Sequence, residues 1–210
     1  MTSPLLALDA LREEPSTSFA RALLAGWSPR NPAQALERDR IVAWIDRYPA
    51  DAHRRTRLEG HLTASVLVVD PERGAGLLTH HRKLGRWLQL GGHCDGDANL
   101  ARAALREAVE ESGIADLRID PHPLDVDVHA IPARPGEPEH WHLDTRFLVL
   151  APPGCVEALS EESLALRWFR PDELVRIPTD GSVQRLFEAA FGVEGQPGRL
   201  RAGSGQARPL

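Results

Sequence analysis

Two hydrophobic periods divide the chain. Up to about residue 48 the apolar positions recur at helical spacing. Leu5, Leu6, Leu8 and Leu11 form one cluster, a second helix ends near Gly26 behind Ser16 or Ser18, and Asn31-Pro32 opens a third whose apolar side is Ile41, Val42, Trp44 and Ile45. From Leu62 the period shortens to that of strands: Leu62 to Val69 is predicted extended, Pro71 to Gly74 a turn, and Ala75 to Thr79 the returning strand. A helix follows over Ala98 to Glu111, with Leu100, Ala101, Ala104, Leu105 and Ala108 as its buried stripe, Asp97 as its N-cap and Gly113 as its stop. Between Leu117 and Ile131, Leu124, Val126, Val128 and Ala130 alternate with Asp125, Asp127 and His129, the pattern of a half-buried strand. After a loop at Arg134 to Pro138 comes HWHLDTRFLVL, then a strand at Leu164 to Phe169, a helical turn at Pro171 to Val175 and a last helix at Ser182 to Phe191 capped by Asp180 or Ser182. The tail from Glu194 lacks apolar periodicity and reads as disordered.

Strands around a central helix, with helices before and after, predict an α/β domain. The segment at Leu62 to Thr79 delivers His80, His81, Arg82 and Lys83 just ahead of Trp87 and a glycine loop. His81, Arg82 and Lys83 suit substrate phosphates and Trp87 a base, against the plainer reading of a surface turn and a core tryptophan. In the strand starting at His140, the two-residue period puts His140, His142, Asp144 and Arg146 on one face and Trp141, Leu143, Phe147 and Val149 on the other. A row with two histidines, an aspartate and an arginine fits a cleft wall better than a wet edge. There His142 or Asp144 acts on water or substrate, and Arg146 pairs with phosphate or an acidic neighbour.

The helix that carries the apolar stripe has a second face. Glu107 and Glu111 stand at i and i+4, Glu110 joins them, and Arg106 is alongside. Like charges at that spacing either face water or share a cation, and oxygen donors at this density suit Mg²⁺ or Mn²⁺.

Composition narrows the partners. A chain of 210 residues with 42% hydrophobic and 26% charged residues is an ordinary globular one, long enough for a full core. Its net charge of -5 argues against a nucleic-acid backbone as partner. Cys94 and Cys155, the only cysteines, have neither disulfide-framework nor metal-ligand spacing. With no membrane-length apolar run and no signal peptide, a cytoplasmic protein without a membrane partner is expected. The N-terminal helices read as an extension packed on the domain, a dimerisation arm being the rival, which leaves a homodimer open.

The stretch GGHCDGDANLARAALREAVEESGI, with Gly92, Arg106-Glu107, Glu110-Glu111, Gly113 and Ile114 at fixed spacing, resembles the Nudix box. The resemblance implies a Nudix-type α/β/α sandwich with a mixed β-sheet over residues 60–192, preceded by a helical extension over 1–59 and followed by a tail over 193–210. It implies hydrolysis of a diphosphate linkage in a small nucleoside diphosphate derivative, by water attack on phosphorus with divalent ions bridging the phosphate oxygens. By the same resemblance Glu107 and Glu111 are the main metal ligands, Glu110 is a ligand or water-activating neighbour, Gly92 adds its carbonyl, and Arg106 orients the carboxylates. Two positions depart from the pattern: Ala98 stands where the box has its first glutamate, for which Asp95 or Asp97 could substitute, and Leu90 stands where a proline is common. A non-catalytic nucleotide or nucleotide-sugar binding module, and an isoprenoid diphosphate isomerase of the same fold, are the other readings. No substrate signature selects among nucleotide derivatives.

Overall fold

Each of the two N-terminal helices begins where a side chain can satisfy an orphan N–H group. Ser16 accepts from the Ser18 N–H at the head of α1 (Thr17–Gly26), and Asn31 accepts from the Gln34 N–H at the head of α2 (Pro32–Arg47), where Pro32 sits in the first turn. These elements come from a computed structural model of the chain, which describes residues 4–159, 163–192 and 200. The tail expected to be disordered, from residue 194, lies outside the described residues except for Leu200. The leucine cluster before α1 is no full helix. Leu8–Ala10 is a single 3-10 turn, and Leu6 pairs with Ile119 through two backbone hydrogen bonds of 2.9 Å. A segment this short cannot sustain a helix alone, and docking Leu6, Leu8 and Leu11 on the core buries the same side chains.

The sheet is built around β1 (Gly60–Asp70). Along one edge β1 pairs in parallel with β7 (His140–Leu150), from Gly60 opposite Trp141 to Val69 opposite Leu150. Its other edge is shared by two antiparallel neighbours, β4 (Leu90–His93) against Thr63 to Val66 and β2 (Ala75–His81) against Val68 to Asp70. β2 also carries β3 (Arg86–Leu88) and β8 (Ser163–Phe169). The far edge of β7 takes β6 (Asp125–Ile131) along its first half and the short β5 (Arg118–Ile119) near its end. The strand expected across 117 to 131 is thus two, because Pro121 and Pro123 remove the amide donors that a continuous ladder needs.

Alternation along β1 sends its side chains to two cores. Leu62, Ala64, Val66 and Val68 join Leu143, Phe147 and Val149 under α3 (Leu100–Ser112), in a cluster that also takes Ala20 and Leu24 of α1 and Ile41 and Ile45 of α2. On the opposite face Leu67, Val69 and Leu148 meet Val183, Leu186 and Phe187 of α4 (Gly181–Phe191), whose N-cap Asp180 accepts from Ser182 and Val183. The fold is therefore a mixed sheet between helices. In α3 the N-cap is Asn99, accepting from Arg102 N–H, and not Asp97; the C-cap is Gly113 in the left-handed region, at φ 64°.

Phe187 is 2% exposed at the centre of the α4 core. Phe187→Ala is expected to cost about 3–5 kcal/mol of stability, read as a lowered urea midpoint at unchanged slope.

Candidate active site

Helix α3 turns its charged side toward β4. The Gly91 N–H donates to Glu111 Oε2 at 3.2 Å, and a Cβ placed on Gly92 would overlap the Glu107 carboxylate. Glycine is required at 92 because the Glu107 carboxylate lies where a Cβ would stand, and at 91 because its φ of 146° brings it against Ser65 of β1. Arg106 Nη2 bridges the His93 carbonyl, at 2.9 Å, and Glu107 Oε1, at 3.0 Å, so it fixes helix to strand through the carboxylate. Glu110 is exposed on the outer side of the same turn. Glu107, Glu111, Gly92 and Arg106 are thereby brought together, and Glu110 stays on the exposed side of the helix.

The two aspartates offered as substitutes for the missing box glutamate are placed differently. Asp97 is 4% exposed and consumed locally: Oδ1 accepts from the Glu14 and Asn99 N–H groups, and Oδ2 binds Arg102 at 2.8 Å. Asp95 is half exposed with a left-handed φ of 52°, 3.7 Å from Arg106 and 3.9 Å from Arg55. Ala98 itself is fully buried, and its N–H donates to the Glu14 carbonyl at 2.6 Å. The Cys94 thiol is buried, which pushes its pKa up and keeps it protonated.

The polar row on β7 is three strands wide. Register places His61 beside His142, Thr63 beside Asp144 and Ser65 beside Arg146; across the other edge Asp125 faces Arg146, Asp127 faces Asp144 and His129 faces His142. β7 is an interior strand, so the row is no wet edge. Arg146, 1% exposed, reaches Asp144 at 2.8 Å, Asp127 at 3.2 Å, Asp125 at 3.4 Å and the Ser182 carbonyl at 3.2 Å. Arg185 of α4 binds Asp125 at 3.1 Å and Asp127 at 2.7 Å, Gln34 of α2 donates to Asp125, and Asp144 also accepts from Thr63 at 3.1 Å and Ser65 at 2.7 Å. Burial opposes the charged form of Arg146, yet Asp144, Asp127 and Asp125 hold its pKa above the ordinary value. Burial likewise opposes Asp127, and the hydrogen bond from His129 with the charges of Arg146 and Arg185 reverses it to a lowered pKa. Three carboxylates against two guanidiniums leave one negative charge, and although burial lowers His129, its 2.9 Å contact with Asp127 raises its pKa overall.

At the end of this row five imidazoles gather. The ring of His61 lies 5.0 Å from those of His93 and His142 and 5.1 Å from that of His140, while His129 is 5.6 Å from His142. Burial, then neighbouring imidazoles, push His61 down to about 4 and His142 to about 2, so both rings are neutral at pH 7.

A cleft of about 750 Å³, the size of a small-molecule pocket, opens on this face. Gln89, Asp127, His129, Arg134, Arg146 and Arg185 line it. Gln89 stands two residues before Gly91 on the chain, which brings the cleft close to the Glu111 contact. His81, Arg82, Lys83 and Trp87 are not among the lining residues. His81 closes the β2–β3 turn by accepting from Lys83 and Leu84 N–H, Arg82 reaches the Ser163 carbonyl at 3.4 Å, and Trp87 packs edge-on to Phe169 at 4.8 Å.

Sequence reasoning took Asp125, Asp127 and His129 for the wet side of a strand and passed over His61, His93 and Arg185. The available signal was that β6 and β7 carry the same period-two polar pattern, so pairing them stacks the two rows. His61 continues the period of Thr63 and Ser65 backward.

A family model described as NUDIX domain matches residues 60–191. No curated protein matches the chain. Among solved structures, a C. elegans Ap4A hydrolase binary complex is 19% identical, covers 60% of this chain and 92% of its own, and superposes with a TM-score of 0.50. At that identity the match speaks for the fold alone. A MutT NUDIX hydrolase from Burkholderia pseudomallei is 25% identical over 61% of this chain and 96% of its own, with a TM-score of 0.48. The NUDIX domain of Shewanella oneidensis NrtR, complexed with ADP ribose, is 16% identical over 68% and 94%, with a TM-score of 0.49. No helix among the described residues is long and apolar enough to cross a membrane.

Two outcomes are expected. Arg146→Ala leaves the buried Asp125 and Asp144 and the half-buried Asp127 undercompensated and lowers stability by about 3–5 kcal/mol in chemical denaturation. Ala98→Glu, which restores the box glutamate, lowers the thermal midpoint, because the new carboxylate would be buried under the segment around Glu14.

Proposed function

The chain belongs to the Nudix family, and from that premise we propose that it hydrolyses a diphosphate linkage in a small nucleoside diphosphate derivative, with Mg²⁺ or Mn²⁺ bound by Glu107, Glu111 and the Gly92 carbonyl and with Glu110 beside them. The observation that carries this reading is the seating of Glu107 and Glu111 on the backbone of Gly91 and Gly92. Two carboxylates fixed against a strand, within a turn of each other, form a set of hard oxygen donors that fits either ion. When bound, the ions supply charge for the phosphate oxygens and lower the pKa of a coordinated water.

The protein's own groups do the rest. Arg106 holds Glu107 in place from the His93 carbonyl, so the ligand arrives preorganised. Substrate lies in the cleft, where Arg86 and Arg134 of the wall face its phosphates. Arg146, whose charge is satisfied internally, sets the shape of the cleft floor rather than touching phosphorus, and Asp144, outside the lining, holds Arg146 in place. His142, expected from sequence to act on water or substrate, is outside the cleft lining and takes no step. The exposed turn at His81, Arg82 and Lys83, with Trp87 behind it, reaches a substrate only where that substrate extends beyond the cleft.

Phosphate release coupled to a phosphatase, over nucleoside triphosphates, nucleotide sugars, dinucleotides and ADP-ribose, tests the proposal. Turnover is expected only with Mg²⁺ or Mn²⁺, and Glu111→Gln and Gly92→Ala should each reduce kcat/KM by at least about 100-fold, the loss of roughly 3 kcal/mol of transition-state stabilisation. Metal-independent turnover, or full activity in Glu111→Gln, would sink it. Tight binding of one compound without turnover would favour the binding module.

A further inference from the structure

We infer that His61, His140 and His142 form a binding site for a divalent transition ion of the Zn²⁺ class, separate from the carboxylates of α3. Their ligand nitrogens all lie within 4.8 Å of one another. The inference stands on the hydrogen bonds of these rings and holds whether or not the chain is a hydrolase.

Backbone carbonyls fix two of the three tautomers. His61 Nδ1 lies 3.4 Å from the Arg57 carbonyl and His140 Nδ1 lies 2.9 Å from the Pro138 carbonyl. A carbonyl only accepts, so in both rings Nδ1 carries the hydrogen and Nε2 presents a lone pair. The His61 Nε2 is buried without a hydrogen-bond partner, in a side chain 3% exposed. The His140 Nε2 faces His142 Nε2 at 3.2 Å. Even if His142 donates to His140 there, one proton cannot also serve His61, and a buried lone pair is left unmet. One cation would satisfy all three nitrogens.

The spacing and the donor type agree with that ion. Tetrahedral ligands at Zn–N distances of about 2.0–2.1 Å stand about 3.3–3.4 Å apart, close to the observed His140–His142 separation. Neutral imidazoles select Zn²⁺, Co²⁺ or Ni²⁺ over Mg²⁺, and the carbonyls behind His61 and His140 are the usual outer partners of histidine ligands. The β1–β7 register that sets His61 beside His142 puts two of the ligands on paired strands, so the site is largely preformed. Three protein ligands leave a fourth position. The Glu137 carboxylate, half exposed and 3.8 Å from His140 Nε2, is an acidic group within reach of it.

The test titrates the metal-free full chain with Zn²⁺ and with Co²⁺ in excess Mg²⁺, comparing the wild type with His142→Ala, His140→Gln and Glu111→Gln. One equivalent of Zn²⁺ should bind to the wild type and to Glu111→Gln, and each histidine variant should weaken it by more than about 100-fold. The Co²⁺ form should show the strong visible absorption of a four-coordinate nitrogen-ligated ion. Absence of Zn²⁺ binding under excess Mg²⁺, or binding lost in Glu111→Gln and kept in the histidine variants, would overturn the proposal. If a histidine variant fails to fold by circular dichroism, the wild-type Co²⁺ spectrum decides: the weak absorption of a six-coordinate oxygen site counts against it.

Discussion

The parallel ladder between β1 and β7 is the constraint on which the rest depends. Because side chains alternate with a period of two, a slip of one residue would carry Leu62, Ala64 and Val66 out of the core under α3 and bring His61, Thr63 and Ser65 into it. The observed register makes both faces of the sheet work. One face is apolar apart from the buried Thr145. The other is apolar only where α4 covers it and polar beyond, so side chains of β6 and β7 line a cleft there instead of a second core.

A polar row that wide can be buried only if its charges close on themselves. Arg146 is at the centre of that closure, meeting three aspartates on two strands, while Arg185 from α4 meets two of the same three. Such a network adds little net stability over apolar packing, since desolvation offsets most of its attraction. What it does supply is position. With Asp125, Asp127 and Asp144 each held from two or more sides, the cleft wall has little freedom to rearrange around a ligand.

Much of this was legible in the sequence. The box residues from Gly92 to Ile114 identified the family, and the capping residues Ser16, Asn31 and Asp180 marked helix starts that the structure reproduces. What sequence could not settle was pairing. Asp125, Asp127 and His129 read as a wet face because alternation alone does not say what lies opposite; once β6 is set beside β7, Asp125 is buried and Asp127 and His129 are partly covered as partners of Arg146 and His142. Local rules also failed where tertiary contacts took over. The leucines at 5 to 11 follow helical spacing yet dock on β5, and Asp97, a good capping residue by type, is drawn instead to Glu14 and Arg102.

That last contact also accounts for the departure from the family pattern at Ala98. The chain from Leu6 to Glu14 runs from the β5 edge to the loop before α3, where Arg12 accepts from the Asn99 side chain and Glu14 exchanges hydrogen bonds with Asp97 and Ala98. A glutamate at 98 would have to place its charge beneath that strap, with Arg102 already committed to Asp97. Alanine at 98 and a strap from the N-terminal segment are therefore two sides of one arrangement. The strap fixes the N-terminal end of α3, the helix whose other end carries Glu107 and Glu111 against the glycines of β4. In this chain the N-terminal extension does for the helix, by hydrogen bonds to its backbone and its cap, part of the positioning that a carboxylate at residue 98 would otherwise provide.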